Sequence, residues 1–240
     1  MSDASATTLI ACSHGTRFAD GRAVVSALVA EVVRLLPGTR VLPAFVDVEE
    51  PAVADVVADV PVDQRAIIVP LLLSRGFHTS VDIARAAAPY PHVRAALPLG
   101  PHPLLADVLI SRLAELEGEP LRGTHVVLAA SGSANPVAVT DVEALAETVR
   151  ERLPWPLTVG YAAGVTPHIA DAVAAARAAG AERVIAASYV LAPGHFASLV
   201  AASGADAVSA PLALTPDGRA EPRVARVIVD RFHEAMRAAS

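Results

Sequence analysis

The chain has 240 residues, of which 53% are hydrophobic, and a formal net charge of −6. This length allows one large or two modest domains, and the acidic balance argues against nucleic-acid binding, which needs a basic surface. The single cysteine excludes an internal disulfide and a cysteine-rich zinc site. The longest apolar run, residues 66–73, is far shorter than the roughly 20 residues of a membrane span. Residues 1–5 lack the features of a signal peptide, so we expect a cytoplasmic protein with no membrane partner.

The first half alternates between apolar runs and helical patterns. Strands are predicted near 7–13, 40–46, 65–73 and 93–97, and helices near 20–36, 50–59, 79–88 and 103–117. In the first helix, Val24, Leu28 and Val32 share one face at helical spacing. The strands are apolar without alternation, which is typical of sheets that helices cover on both faces. This order of elements predicts right-handed crossovers and a mostly parallel sheet.

The second half repeats the first. Ser131 lies 117 positions after His14, and His195 lies 117 positions after His78, each in a similar local sequence. Strands are predicted near 125–131, 156–162, 182–191 and 206–209, and helices near 136–153, 167–179, 195–203 and 219–238. Two independent segments that agree on one offset indicate two copies of a unit of about 120 residues.

The expected architecture is therefore α/β, with two duplicated domains over residues 1–118 and 124–240. Each domain is expected to hold a mostly parallel four-stranded sheet flanked by helices, and residues 117–123 read as the linker. Because ligands usually bind between domains, the cleft that separates them is the expected binding site.

Two histidines follow two of the predicted strands. His14 comes after residues 8–13, and His78 comes after residues 66–73. In an open parallel sheet, ligands gather beyond the carboxyl ends of the strands, so the two imidazoles can share one metal ion or one proton-transfer task. Imidazole and carboxylate ligands suit Fe²⁺, Co²⁺, Ni²⁺ or Zn²⁺.

Polar residues accompany both histidines. The neighbours of His14 are Ser13, Gly15, Thr16 and Arg17, and those of His78 are Ser74, Arg75, Gly76, Phe77 and Thr79. A third strand end supplies Asp47, Glu49 and Glu50. The alternatives are structural: a histidine at a strand end can simply be hydrogen-bonded, the acidic residues can cap a helix, and Arg17 and Arg75 can be ordinary surface charges. His195 has no histidine partner at Ser131, so the second copy lacks the pair.

These segments resemble the class II tetrapyrrole chelatases. The resemblance rests on residues 13–17, on 45–48 with Pro51, and on 70–78, and it covers nearly the whole chain, including the duplication. Within that family the chain is similar to the long, internally duplicated sirohydrochlorin chelatases and cobaltochelatases, in which the N-terminal half carries the active histidines.

The resemblance implies insertion of a divalent metal into sirohydrochlorin or a related tetrapyrrole, without ATP. The metal would be a substrate, either Fe²⁺ or Co²⁺, with Ni²⁺ also open, for sirohaem or cobalamin biosynthesis. His14 and His78 match the family's active-site histidines, which bind the metal and take up pyrrole protons. Asp47 stands where relatives commonly carry Glu, as a third metal ligand. The residues expected to contact the tetrapyrrole are Ser13, Arg17, Ser74, Arg75, Phe77, Thr79 and His195.

Three alternatives remain at this point. A non-catalytic tetrapyrrole or metal carrier on the same fold fits the same residues. A histidine phosphatase would need Arg directly before the first histidine, where this chain has Ser13. A purely structural duplicated protein leaves both histidine segments unexplained. The duplication favours a monomer, because one chain already supplies both walls of the cleft.

Overall fold

The computed structural model describes residues 7–116 and 123–238, without the side chains of residues 77–80. The strands are β1 (Thr8–Ser13), β2 (Val41–Phe45), β3 (Ala66–Pro70), β4 (Val93–Ala95), β5 (Thr124–Ala130), β6 (Leu157–Tyr161), β7 (Arg183–Tyr189) and β8 (Ala207–Val208). The helices are α1 (Ala19–Leu35), α2 (Val53–Ala58), α3 (Phe77–Ala87), α4 (Pro103–Leu116), α5 (Pro136–Arg150), α6 (Ile169–Ala178), α7 (His195–Ala201) and α8 (Pro222–Arg237).

The strands form two parallel sheets of four strands each. Their orders are β2-β1-β3-β4 and β6-β5-β7-β8, with Leu9 level with Val41 on one side and with Ile67 on the other. The predicted α/β fold with two duplicated, helix-flanked parallel sheets is therefore confirmed. In the first sheet the chain passes from β1 to β2 on one side and then to β3 on the other side of β1, and the second sheet has the same path. The carboxyl ends of β1 and β3 thus form a topological switch point, where ligands bind in such folds.

Alternate residues of β1 pack into two different apolar clusters. Leu9 and Ala11 join a large cluster that contains residues of both repeats, including α1, α4, α5 and α8. Ile10 and Cys12 face the opposite side of the sheet, where α2 and α3 cover it. Cys12 is fully buried, and this burial raises the pKa of its thiol to about 12, so it behaves as a small apolar residue.

The last helix of each repeat packs against the other repeat. Helix α8 contacts α1 and β3 of the first repeat, and α4 contacts α5 and β7 of the second. Each repeat thus gives its last helix to the other repeat, and the two arrangements are equivalent under the internal repeat. Together they join the halves through one shared apolar core. None of the helices in the described parts of the chain is long and apolar enough to cross a membrane.

Two element boundaries near the predicted site differ from expectation. Strand β3 ends at Pro70 rather than at residue 73, although the Leu71 amide still donates to the Cys12 carbonyl at 2.7 Å. Helix α3 begins at Phe77 rather than at residue 79, because Gly76 serves as its N-cap residue. His78 therefore lies in the first turn of a helix and not in the preceding loop.

Candidate functional site

His14 is the first residue beyond β1 and is exposed. Its main-chain carbonyl accepts a hydrogen bond of 3.0 Å from the Asp47 amide, and the Ser13 carbonyl accepts one of 3.0 Å from Val46. The segment after β1 is thus bonded to the segment after β2. The structure brings the predicted residues Ser13, His14 and Asp47 together at one edge of the sheet.

Gly15 makes this close approach possible. Its φ is +92°, in the left-handed region that favours glycine, and a Cβ at this position would lie 2.1 Å from the Asp47 carbonyl oxygen. In the second repeat Gly132 has φ +81°, and a Cβ there would lie 2.0 Å from the Ala163 carbonyl oxygen. The two repeats therefore share the backbone of this junction, but only the first has a histidine and an aspartate beside it.

The acidic segment after β2 is tied down through two of its carboxylates. The Asp47 side chain accepts a hydrogen bond of 2.8 Å from the Val48 amide, and Glu49 accepts one of 2.8 Å from the Thr16 amide. Glu49 therefore does not cap α2, as the sequence suggested, but links the segment to the one after His14. Glu50 does bond near the helix start, accepting 2.8 Å from the Ala52 amide.

The main chain that leads to His78 leaves a strand that neighbours the one leading to His14. Strand β3 is hydrogen-bonded to β1, and six residues, 71–76, separate the end of β3 from the start of α3. The side chains of Phe77, His78 and Thr79 lie outside the described residues, so their predicted roles stay predictions. Among the side chains that are described, no three His, Cys, Asp or Glu groups are close enough to hold a metal ion.

Arg75 is bonded to a carboxylate of the second repeat. Its guanidinium Nε and Nη2 donate to the carboxylate of Asp141 on α5, at 2.9 and 2.5 Å, and this bonding raises the pKa of Arg75. Two of the guanidinium nitrogens are thus engaged by the second repeat. The contact of Arg75 with the tetrapyrrole, which the resemblance implies, stays a prediction.

The other predicted polar residues are arranged around this edge. Arg17 is exposed on the segment after His14, Ser13 is buried at the end of β1, and Ser74 is half-buried after β3. Arg17 is thus open to solvent, and its contact with a substrate carboxylate stays a prediction.

His195 approaches the same edge from the second repeat. It is the exposed first residue of α7, and its ring lies 5.6 Å from that of Phe196, centroid to centroid. A Cβ on the preceding Gly194 would lie 3.7 Å from the Thr16 hydroxyl oxygen and 4.0 Å from the Phe18 ring. The segment that ends at His195 therefore lies against the segment that begins at His14.

The sequence already indicated Phe196 as an apolar wall for the tetrapyrrole, but sequence reasoning missed Phe18 and Asp141. Phe18 is 48% exposed and Phe196 is 39% exposed, so both repeats offer an aromatic side chain near the same junction. Asp141 lies in the buried stripe of α5 with Ala138, Val142 and Leu145. A carboxylate in an apolar helical stripe was the signal that could have revealed it, because a buried charge requires a partner.

Comparison with known families identifies both repeats. The model of the family described as CbiX matches residues 8–116 and again residues 125–235. Among curated proteins, no sequence matches this chain.

Several solved structures share the fold. SirB from Bacillus subtilis with Fe³⁺ has a TM-score of 0.73 and 18% identity, over 95% of each chain. SirB from Bacillus subtilis subspecies spizizenii in complex with cobalt, described as a sirohydrochlorin chelatase, has a TM-score of 0.70 and 17% identity, over 95% of this chain and 94% of that one. CbiX, described as the terminal enzyme of siroheme biosynthesis in denitrifying bacteria, has a TM-score of 0.66 and 23% identity, over 93% and 98%.

Proposed function

Because the chain belongs to the CbiX family, with one copy of the family's unit in each half, we propose that it inserts Fe²⁺ or Co²⁺ into sirohydrochlorin or a close relative, without ATP. The carrying observation is that His14 and the first turn of α3, which contains His78, follow adjacent parallel strands at the switch point of the first sheet. Structural neighbours that hold Fe³⁺ and cobalt support a metal-binding role.

His14 and His78 are proposed to receive the metal ion, with Asp47 as the third ligand. Two or three protein ligands leave coordination positions open, which suits transfer of the ion better than permanent storage. The Asp47 carboxylate can accept from Val48 with one oxygen and still offer the other. A neutral imidazole near pH 7 can also accept a proton from a pyrrole nitrogen.

The tetrapyrrole is proposed to lie over the edge where the His14 segment and the His195 segment meet. Its flat apolar centre fits the exposed rings of Phe18 and Phe196, and Arg17 can meet its peripheral carboxylates. Ser13, Ser74 and Thr79 are proposed as further polar contacts. Holding the ring bent toward the metal would lower the barrier, because the distorted ring resembles the transition state.

The test is anaerobic incubation of the protein with sirohydrochlorin and one metal at a time. Fe²⁺, Co²⁺ and Ni²⁺ are added separately without ATP, and absorbance follows the loss of free sirohydrochlorin. We expect insertion by the protein to exceed the protein-free rate, and the rates rank the metals. Tight binding of sirohydrochlorin without turnover would instead identify a non-catalytic carrier and overturn the proposal.

A further inference from the structure

The main chain of Arg75 is held by the second repeat on both sides of its Cα. Its amide lies 3.3 Å from Asp141 Oδ2, and its carbonyl accepts a hydrogen bond of 2.7 Å from the Asn135 side-chain amide. The side chain adds the paired bonds to Asp141 described above. Asp141 on α5 and Asn135, the N-cap residue of α5, thus hold Arg75 of the first repeat through four contacts.

The burial of Asp141 makes this contact specific. Only 3% of its side chain is exposed, whereas 45% of the Arg75 side chain is. A carboxylate in that position is costly unless a cation and hydrogen-bond donors meet it. Arg75 can satisfy it only when the segment after β3 lies where the structure shows it.

The internal repeat supplies a natural comparison. The residues 117 positions away from Asp141, Arg75 and Asn135 are Val24, Ala192 and Phe18, none of which can form such bonds. At that junction the segment before His195 contacts α1 through a close approach of the two backbones, since a Cβ on Gly21 would lie 2.4 Å from the Pro193 carbonyl oxygen. Of these two junctions in the described parts of the chain, the one that leads into His78 is therefore the one with a polar clamp, formed by Arg75, Asp141 and Asn135.

We propose that Asp141 and Asn135 of the second repeat are positioning residues for metal insertion in the first repeat, an inference that rests on the proposed function. Arg75 directly precedes Gly76, the N-cap residue of α3, and lies three residues before His78. Fixing both main-chain groups of Arg75 fixes the start of α3 relative to β1 and the His14 segment. Loss of a group that orients a metal ligand typically weakens metal affinity or activity about 10- to 100-fold.

The decisive variant is the double substitution Asp141→Val with Arg75→Ala, which copies the residues of the repeat-related junction. Replacing a buried ion pair by apolar residues is commonly neutral for stability, so the urea unfolding midpoint should not fall. Titration of the protein with Co²⁺ alone, followed by its visible absorption, should show affinity about 10-fold weaker or more. The insertion rate should fall with it, while the affinity for sirohydrochlorin changes less.

Two single variants separate the clamp from the charge of Arg75. Asn135→Ser keeps an N-cap oxygen for α5 but removes the amide that reaches Arg75, and Asp141→Asn keeps one acceptor. Both should weaken Co²⁺ binding by less than the double variant does. Thr140→Val, at an exposed neighbouring position of α5, should behave as the wild type.

Wild-type Co²⁺ affinity in the double variant, at an unchanged unfolding midpoint, would overturn this inference. If the unaltered protein binds Co²⁺ but inserts no metal into sirohydrochlorin, the proposed function fails, and the Co²⁺ affinities still decide the positioning role.

Discussion

Arg112 on α4 and Arg231 on α8 each reach from the last helix of one repeat into the other repeat. Arg112 donates to the Leu214 carbonyl and to Glu221, at 3.1 Å for the latter. Arg231 donates to the carbonyls of Pro98, Leu99 and Pro101, at 2.7, 3.1 and 2.7 Å. These reciprocal bonds anchor the exchanged helices at the polar ends of the shared apolar core.

Replacing Arg231 should destabilise the whole chain. Arg231→Met keeps much of the side-chain volume but leaves three main-chain carbonyls without their donor. Each unpaired buried group costs about 1–3 kcal/mol, so the free energy of unfolding should fall by at least about 3 kcal/mol in urea titrations. Arg226→Met on the same helix is the matched control, because 60% of the Arg226 side chain is exposed, and it should change stability by less than about 0.5 kcal/mol.

Glu221, the partner of Arg112, makes the stability of the fold depend on pH. Burial opposes ionisation of Glu221, but hydrogen bonds and charge from Arg223, with charge from Arg112, outweigh it and hold the pKa of this carboxyl below 4.5. A depressed folded pKa gives stability that is present above the unfolded value and lost as pH falls through the folded one. The free energy of unfolding measured in urea should therefore fall as pH drops below about 4.5.

Glu221→Gln removes this contribution, so its stability should fall less steeply over the same acid range. Glu151→Gln, at an exposed position, should keep the wild-type slope. If the free energy of unfolding falls equally steeply with pH in wild type and Glu221→Gln, another carboxylate controls the loss of stability in acid.

The fold was predictable because its signals are local. Apolar runs such as residues 66–70 and the helical spacing of Val24, Leu28 and Val32 specify the elements, and the 117-residue offset specifies the duplication. The exchange of α4 and α8 was not predicted, because an apolar helix face does not reveal which sheet will cover it.

The sequence predicted which residues lie at the strand ends of the site, but not which side chains form ion pairs there. His14 and Asp47 come together because the strands before them are neighbours. The partner of Arg75 could not be predicted, since Asp141 lies 66 positions away in another repeat. A long side chain at an edge can turn toward a substrate or toward a buried charge, and only the packing of the two repeats decides.

Gly15→Ala should disrupt the His14 segment. The new Cβ would meet the Asp47 carbonyl oxygen at 2.1 Å, in addition to the cost of a positive φ. Gly38→Ala isolates the second effect, because Gly38 has φ +85° with nothing within 4 Å of a Cβ. A positive φ costs a non-glycine residue about 1–2 kcal/mol.

We therefore expect Gly38→Ala to lose about 1 kcal/mol with full metal insertion, and Gly15→Ala to lose more stability and most of the insertion rate. Equal effects of the two substitutions on both measurements would show that the close approach to Asp47 has no importance.

Val48→Gly should stabilise the chain. Val48 has φ +67°, although it is β-branched. The Ala163 amide bonds to the Ser131 carbonyl as that of Asp47 bonds to His14, so Val48 corresponds to the next residue, Gly164, which has φ +77°. Relief of this strain should exceed the entropy that glycine adds to the unfolded chain, for a net gain of up to about 1 kcal/mol. Val62→Gly, at an exposed valine without a positive φ, should instead lose stability, and a loss in both variants would mean that Val48 is not strained.

His14→Ala should remove metal insertion without unfolding the protein. The side chain is exposed, so the free energy of unfolding should change by less than about 0.5 kcal/mol, while loss of a ligand and proton acceptor should lower kcat/KM by at least about 100-fold. His233→Ala on α8 is the control, since His233 is also exposed but lies outside the proposed site. His78→Ala should match His14→Ala, and because both histidines are proposed to serve one ion, the double variant should be scarcely less active than either single one. Losses that multiply in the double variant would show that the two residues act independently and do not share a metal ion.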